Sequence, residues 1–361
     1  MNFMKKYCFF FLIIILISSC KKEGCTDMLA LNYDSNAEIN NGTCEYHVAT
    51  EYIIDFPDGF PTPEIPIDNP LTVEGVFLGE KLFNDPILSI DGTISCSSCH
   101  LKSSNFSDPN KTSVGFNGLE GFRNASTITN SMWSNSFNWD GSELTLENQA
   151  YEPVTNPNEM NNTWENVENI LNSNDEYQRL FKLAFNIDYI DSVHVVKAIS
   201  QYERSLVSFN SKFDKFYRGE GTLNSSELNG YAIFNSEKGD CFHCHGTMLF
   251  TDNLFHNNGL DSEEPFDDNG LGLVTNNPAD YGKFKTPSLR NIEYSAPYMH
   301  DGRFSTLEEV IIHYNDGGHY SSTVDPLMKK IGIGLELTNQ EISDLIAFLK
   351  TLSDENFISK K

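Results

Sequence analysis

Apolar residues fall at helical spacing wherever the chain shows a strong pattern. Between Val193 and Phe209, Val196, Ile199, Tyr202 and Leu206 recur at three- and four-residue steps. Between Ser226 and Phe234, Leu228, Tyr231 and Phe234 do the same. Steps of that length put each set on one face of a helix. Ser305-x-x-Glu308 and Thr338-x-x-Glu341 are capping boxes that predict two further helix starts, the second helix turning Ile342, Leu345, Ile346 and Leu349 inward. No run of alternating residues competes, so the predicted class is all-α with long loops. From His47 to Thr72 the pattern lapses, with prolines at 57, 61, 63, 66 and 70, and predicts an extended tether.

Beyond the tether the sequence repeats itself weakly. The first copy runs Gly79-x-x-Leu82-Phe83-Asn84, Cys96-Ser97-Ser98-Cys99-His100, Phe106-Ser107-Asp108, Arg123-Asn124, Trp139-Asp140-Gly141 and Thr145-Leu146-Glu147. The second runs Gly230-x-x-Ile233-Phe234-Asn235, Cys241-Phe242-His243-Cys244-His245, Phe250-Thr251-Asp252, Arg290-Asn291, His300-Asp301-Gly302 and Thr306-Leu307-Glu308. Two homologous domains are expected, over residues 71–220 and 221–361.

The repeated C-x-x-C-H run carries the chemistry. Its two thiols can add across the two vinyl groups of one haem while the adjacent imidazole reaches the iron. With eight Cys and nine His in 361 residues, roughly 0.004 such runs are expected by chance. A structural zinc half-site or a thioredoxin-like pair is the competing reading. The His follows directly both times and no second C-x-x-C lies nearby, which favours two haem c groups, held by Cys96, Cys99 and His100 and by Cys241, Cys244 and His245.

The N-terminus fits that chemistry. Met4-Lys5-Lys6 precedes an apolar run from Tyr7 to Ile17 and then Ile17-Ser18-Ser19-Cys20. The run is shorter than the ~20 residues a bilayer span needs. Residues 1–19 therefore read as a lipoprotein signal, with lipid on Cys20 and the protein exported to the periplasmic side of a membrane, where haem c is attached. Cys8 leaves with the signal, so Cys25 and Cys44 remain as an expected disulfide in the segment 20–70. The loop they close is rich in Asp and Asn and resembles short Cys-flanked modules of exported bacterial proteins. Asp27, Asp34 and Asn36 could hold calcium there, although the spacing is not that of an EF-hand and a plain disulfide-closed loop is the default. A net charge of −26 argues against nucleic acid and favours either a solvated acidic surface or a basic soluble electron-transfer partner.

The stretches Phe122-Arg123-Asn124-Ala125, Phe137-Asn138-Trp139-Asp140-Gly141 and Asn156-Pro157-Asn158-Glu159-Met160 carry a closer likeness. So do Thr286-Pro287-Ser288-Leu289-Arg290-Asn291 and Ala296-Pro297-Tyr298-Met299-His300-Asp301-Gly302. On these residues the chain resembles the bacterial di-haem cytochrome c peroxidases and their MauG-type relatives, over roughly residues 71 to 355. The resemblance implies two cytochrome c-like haem domains. His100 would be the proximal ligand of a peroxide-reacting haem and His245 that of an electron-transfer haem. It also puts Gln149 and Glu159 on the distal side of the first haem, Trp139 between the haems, and a calcium ion on Asn124 and the carbonyls of Ser295 and Pro297. A carboxylate at Glu159 can take a proton from bound peroxide and return it to the departing oxygen.

Two departures from the family pattern bear on mechanism. Where conventional members have a His that closes the peroxidatic iron, this chain has Phe116 in Thr112-Ser113-Val114-Gly115-Phe116, and phenylalanine cannot ligate iron. Met132 and Lys111 are conceivable stand-ins that no spacing singles out. Where they have a Met fourteen residues after the His of His-Asp-Gly, counting from His300 reaches Tyr314, with His313 and Met299 as the other candidates. The expected function is reduction of hydrogen peroxide with electrons from a small cytochrome c or cupredoxin. A MauG-type oxidase acting on a protein or small molecule is the alternative, and a non-catalytic di-haem electron carrier is a third reading from another class.

Overall fold

The computed structural model describes residues 21–28, 30–262 and 266–359. The chain divides into two compact units, one ending at Val48 and the other beginning at Ala49. The expected signal segment 1–19, with Cys8, and Cys20, expected to carry lipid, lie outside the described residues. No helix among the described residues is long and apolar enough to cross a membrane.

In the first unit Cys25 and Cys44 are bonded, and Glu23–Gly24 pairs in parallel with Ile39–Asn40. Both aspartates of the loop have protein partners. Asp34 accepts from the Asn36 N–H at 2.9 Å and pairs with Lys22, and Asp27 accepts from the Tyr46 hydroxyl at 2.8 Å. The expected disulfide forms, and it and the loop's own turns hold the loop.

In the second unit the repeated glycine explains the repeated helices. The helix Val73–Asn84 starts at Thr72, whose hydroxyl accepts from the Gly75 N–H. It crosses the helix Ser192–Ser205 at Gly79, where an added Cβ would stand 2.0 Å from the Ala198 carbonyl oxygen. The second copy repeats the crossing. The helix Ser225–Phe234 meets Asn339–Lys350 at Gly230, where a Cβ would stand 1.9 Å from the Asp344 carbonyl oxygen. Only glycine permits either approach. The pairs that follow these glycines, Leu82-Phe83 and Ile233-Phe234, are buried. Leu82 and Phe83 join a core with Val167, Phe181 and Ile199, whereas Ile233 and Phe234 join another with Ile311, Leu345 and Phe348. Truncating one of these fully buried side chains to Ala would remove about 2–5 kcal/mol.

The structure is predominantly helical, with two-residue strand pairs as its sheet content among the described residues. Several local expectations shift. The 193–209 pattern buries Val196, Ile199, Tyr202 and Leu206, but the helix ends at Ser205. Beyond it the Asn130 side chain captures the Ser208 backbone, accepting from its N–H at 2.8 Å and donating to its carbonyl at 3.1 Å. Leu228 is exposed because its helix turns Glu227 and Gly230 inward, and a residue two positions from Gly230 points to the opposite side. The box expected at Ser305 and Glu308 forms one residue later, between Thr306 and Glu309. Thr338 and Glu341 form theirs as expected.

The proline-rich segment is extended, but it does not hang free. The rings of Phe56 and Phe60 lie 5.3 and 5.8 Å from that of Trp133. The Trp133 indole donates to the Pro61 carbonyl at 2.8 Å, and the Arg290 guanidinium covers Phe60 at 4.7 Å. Long-range aromatic contacts, invisible to a periodicity reading, strap the segment down.

Candidate active site

Both C-x-x-C-H runs form single helical turns, Cys96–Cys99 and Phe242–His245. Three-residue spacing puts each thiol pair on one side of its turn, and all four thiols are free. The imidazoles are fixed by the same device in each copy. His100 Nδ1 lies 2.9 Å from the Phe106 carbonyl oxygen and His245 Nδ1 lies 2.7 Å from that of Phe250. A carbonyl only accepts, so Nδ1 carries the proton and Nε2 keeps its lone pair. Burial holds both imidazoles below the usual histidine range, in the neutral form a metal requires. The carbonyls are aimed by strained backbone: Phe106 has φ 55° and Phe250 φ 53°, a region bulky residues rarely enter. Free thiol pairs beside neutral imidazoles with locked tautomers fit two covalently held haems.

One cavity joins the two motifs, and its lining includes His100 and His245. Trp139, Gln149, Tyr314, Asn124, Ser295 and Pro297 line it too. Cys241 and Cys244 reach this cavity, whereas Cys96, Cys99 and Glu159 stand outside its lining. The wall around Trp139 is laced across the repeat. The Lys285 N–H donates to the Trp139 carbonyl at 2.8 Å, and the Asn124 N–H donates to that of His300 at 2.8 Å. The Trp139 indole donates to the Asn124 carbonyl at 2.9 Å. Gly141, two residues on, has φ 71°, and a Cβ there would meet the Phe255 ring at 2.3 Å. The Asp-Gly of each repeat is thus a turn requirement, met again at Gly302 with φ 63°.

Glu159 lies beside the first motif and close to Cys96 and Cys99, whose thiols feel its charge. Burial first, then repulsion from Glu152, pushes its carboxyl up to about 7 against an Asn156 hydrogen bond that opposes the rise. That bond, from Asn156 Nδ2 to Glu159 Oε1, is 2.8 Å. The Phe116 N–H donates to the Glu159 carbonyl at 2.8 Å, so the residue that replaces the expected capping His is tied directly to this acid. Gln149 sits on the helix Leu146–Thr155.

At the second motif the Tyr314 hydroxyl accepts from Asn258 Nδ2 at 3.0 Å, and burial raises its pKa to about 12. The same amide reaches the Met299 sulfur at 3.6 Å. Tyr314 and Met299 therefore share one corner of the cavity, whereas His313 does not line it and its Nε2 faces the Asn258 carbonyl. Met132 is packed in the first core, and Lys111 is exposed with its carbonyl facing the Asn124 amide. Asn124 Nδ2 also donates to the carbonyls of Asn110 and Asp108, at 2.9 and 3.2 Å.

Three features escaped the sequence reading, and a fourth, His256, it leaves as a surface or propionate-contacting residue. The carbonyls of Phe106 and Phe250 orient the imidazoles, and only the repetition of the Phe-Ser/Thr-Asp pattern hinted at them. Asn258 is anchored beside Tyr314. His256 is clamped by Asp252 at 2.8 Å and Asp325 at 2.6 Å. Lys285 enters the cavity wall from the strand Phe284–Lys285.

The likeness to known proteins follows this geometry. A family model described as di-haem cytochrome c peroxidase matches residues 73–222, and one for cytochrome c matches residues 228–353. The methylamine utilization protein MauG of Methylorubrum extorquens is 37% identical over 83% of this chain and 83% of its own. Cytochrome c551 peroxidase of Nitrosomonas europaea is 35% identical over 82% and 84% of the two chains. The chain belongs to the di-haem cytochrome c peroxidase family. Its members named cytochrome-c peroxidase are oxidoreductases, and the family carries two c-type haems, in agreement with the two motifs. Among solved structures of the family, a MauG-like protein associated with microbial copper homeostasis superposes with a TM-score of 0.81. It is 37% identical, and the alignment covers 85% of this chain and 97% of that one.

Proposed function

We propose that this chain reduces hydrogen peroxide to two waters, using two protons and two electrons taken singly from a small cytochrome c or cupredoxin. The observation that carries the proposal is a single cavity reached by two imidazoles with locked tautomers and walled by Trp139, with a carboxyl poised at about 7 beside the first motif. Haem, when bound, supplies the iron that receives peroxide and the redox equivalents that split it. Glu159 accepts the proton from one peroxide oxygen and returns it to the other, a shuttle best served by a pKa near the working pH. Gln149, which lines the cavity with His100, would be the second polar group on the distal side of the first haem. Trp139, held through its indole N–H, is the relay between the domains 71–220 and 221–361. Tyr314 would hold the iron of the second haem opposite His245, a role supported by its place in the same cavity and by the anchoring amide of Asn258. Asn124 with the carbonyls of Ser295 and Pro297 would hold a calcium ion, which supplies a hard cation for their oxygens. The Asn124 Nδ2 is committed to carbonyls, which leaves Oδ1 as its cation-facing atom. The lipid on Cys20 tethers the protein on the periplasmic side, and the acidic surface steers a basic donor.

Phe116 and Tyr314 together favour a second reading, a MauG-type oxidase in which the same site draws its electrons from a protein or small molecule. Stopped-flow absorbance of the haem-loaded ferric protein with a slight excess of peroxide, followed by turnover with reduced cytochrome c, separates the readings. A fast Soret change and sustained cytochrome oxidation are expected of the peroxidase. The Soret change without cytochrome oxidation selects the oxidase, and no Soret change before or after reduction overturns both.

A further inference from the structure

Lys285 is a cation in the cavity wall without a carboxylate. Its Nζ has one hydrogen-bond partner, the Ser134 hydroxyl at 3.1 Å, and it makes no ion pair within 4 Å among the described residues. Four arginines set into the same unit each have one. Arg123 is held by Asp140 and Asp268, Arg204 by Glu147, Arg290 by Asp214 and Arg303 by Asp261 and Asp301. Burial without an acid draws the Lys285 amine down to about 8, the response expected of an ammonium whose counter-charge is missing. Its backbone is fixed meanwhile: the strand pairing sets Lys285 opposite Phe255, and its N–H is bonded to the Trp139 carbonyl. The amine is therefore held in the wall that both haem sites share, next to the residue between them.

A haem brings two carboxylates of its own, its propionates, and in a cavity that already takes two haems these are the anions nearest to hand. We propose that Lys285 is the counter-cation of a haem propionate in the wall beside Trp139, and that its charge sets the reduction potential of that haem. This rests on haem occupancy of both motifs. Lys285 is thus a positioning residue, acting through the haem it neutralises. A buried positive charge next to a haem favours the ferrous state, so its loss shifts the potential downward.

The test is a spectroelectrochemical titration of the haem-loaded wild-type, K285M and K285R proteins, with haem content measured first. The expected result is two haems per chain in all three, one midpoint potential lower in K285M, and both potentials at wild-type values in K285R. K285Q, whose amide can keep the Ser134 contact, carries the same expectation if K285M loads poorly. Both potentials unchanged in a fully loaded K285M or K285Q protein overturn the inference while leaving the peroxidase reading intact. A wild-type protein lacking two haems overturns that reading first.

Discussion

Replacing Glu159 by Gln separates a catalytic acid from a structural one, because activity and stability should move in opposite directions. In the folded protein this carboxyl titrates at about 7 instead of its ordinary 4.5. The folded state therefore holds the proton more tightly than the unfolded chain. Below 4.5 both states are protonated and the group is neutral to stability. Between 4.5 and about 7 stability falls as pH rises, and above about 7 the whole penalty is present. The interval corresponds to at most about 3.4 kcal/mol, and solvent screening of a partly buried carboxyl reduces this to about 1–2 kcal/mol. E159Q, which cannot ionise, should be more stable than wild type by that amount at pH 8 and equal to it at pH 4, read from urea midpoints. Its peroxide turnover should fall by about 10²–10⁴, the usual contribution of a positioned proton shuttle. The wild-type kcat/KM for peroxide should rise with pH through about 7 as the accepting carboxylate forms, and that limb should be absent in E159Q. Wild-type turnover in E159Q, or a limb that survives the substitution, would refute the reasoning.

Trp139→Phe keeps a ring but leaves the Asn124 carbonyl without its 2.9 Å donor. It should cost about 1 kcal/mol of stability and keep both haems attached. Inter-site electron transfer should slow by roughly tenfold or more, equivalent to at least about 1.4 kcal/mol in barrier, measured by laser-flash reduction. Phe116→His puts an imidazole on the backbone bonded to Glu159, so the ferric variant should ignore peroxide until reduced by one electron, as stopped-flow absorbance will register. Cys25→Ser with Cys44→Ser opens a loop of sequence separation 19. It should destabilise the N-terminal unit by about 3 kcal/mol, seen as proteolysis within residues 21–48 with unchanged peroxide turnover.

What the sequence made legible was what depends on near neighbours or on repetition. A C-x-x-C-H run needs only one helical turn to align its thiols, so both motifs could be read directly. The duplicated Gly79 and Gly230 mark equivalent positions by repetition alone, and the physical reason for them is a neighbouring helix's carbonyl where a Cβ would be. What escaped depends on groups far apart in the chain or on backbone states that side-chain identity does not disclose. Phe106 and Phe250 adopt a left-handed conformation that their residue type disfavours, and their orienting role lives in the main chain. The straps at Phe56 and Phe60 exist because Trp133 waits some seventy residues on. Capping at Thr306 instead of Ser305 is a one-residue slip that two adjacent hydroxyl side chains leave undecided. Lys285 is the most instructive case: in sequence it is one lysine among many, and its meaning comes from an absence, the missing carboxylate, which only the folded cavity defines. The strained carbonyls fix the two imidazoles that line the haem cavity, and the Lys285 amine stands in its wall without a carboxylate. Local rules therefore fail in this chain where a bound group would supply the compensation.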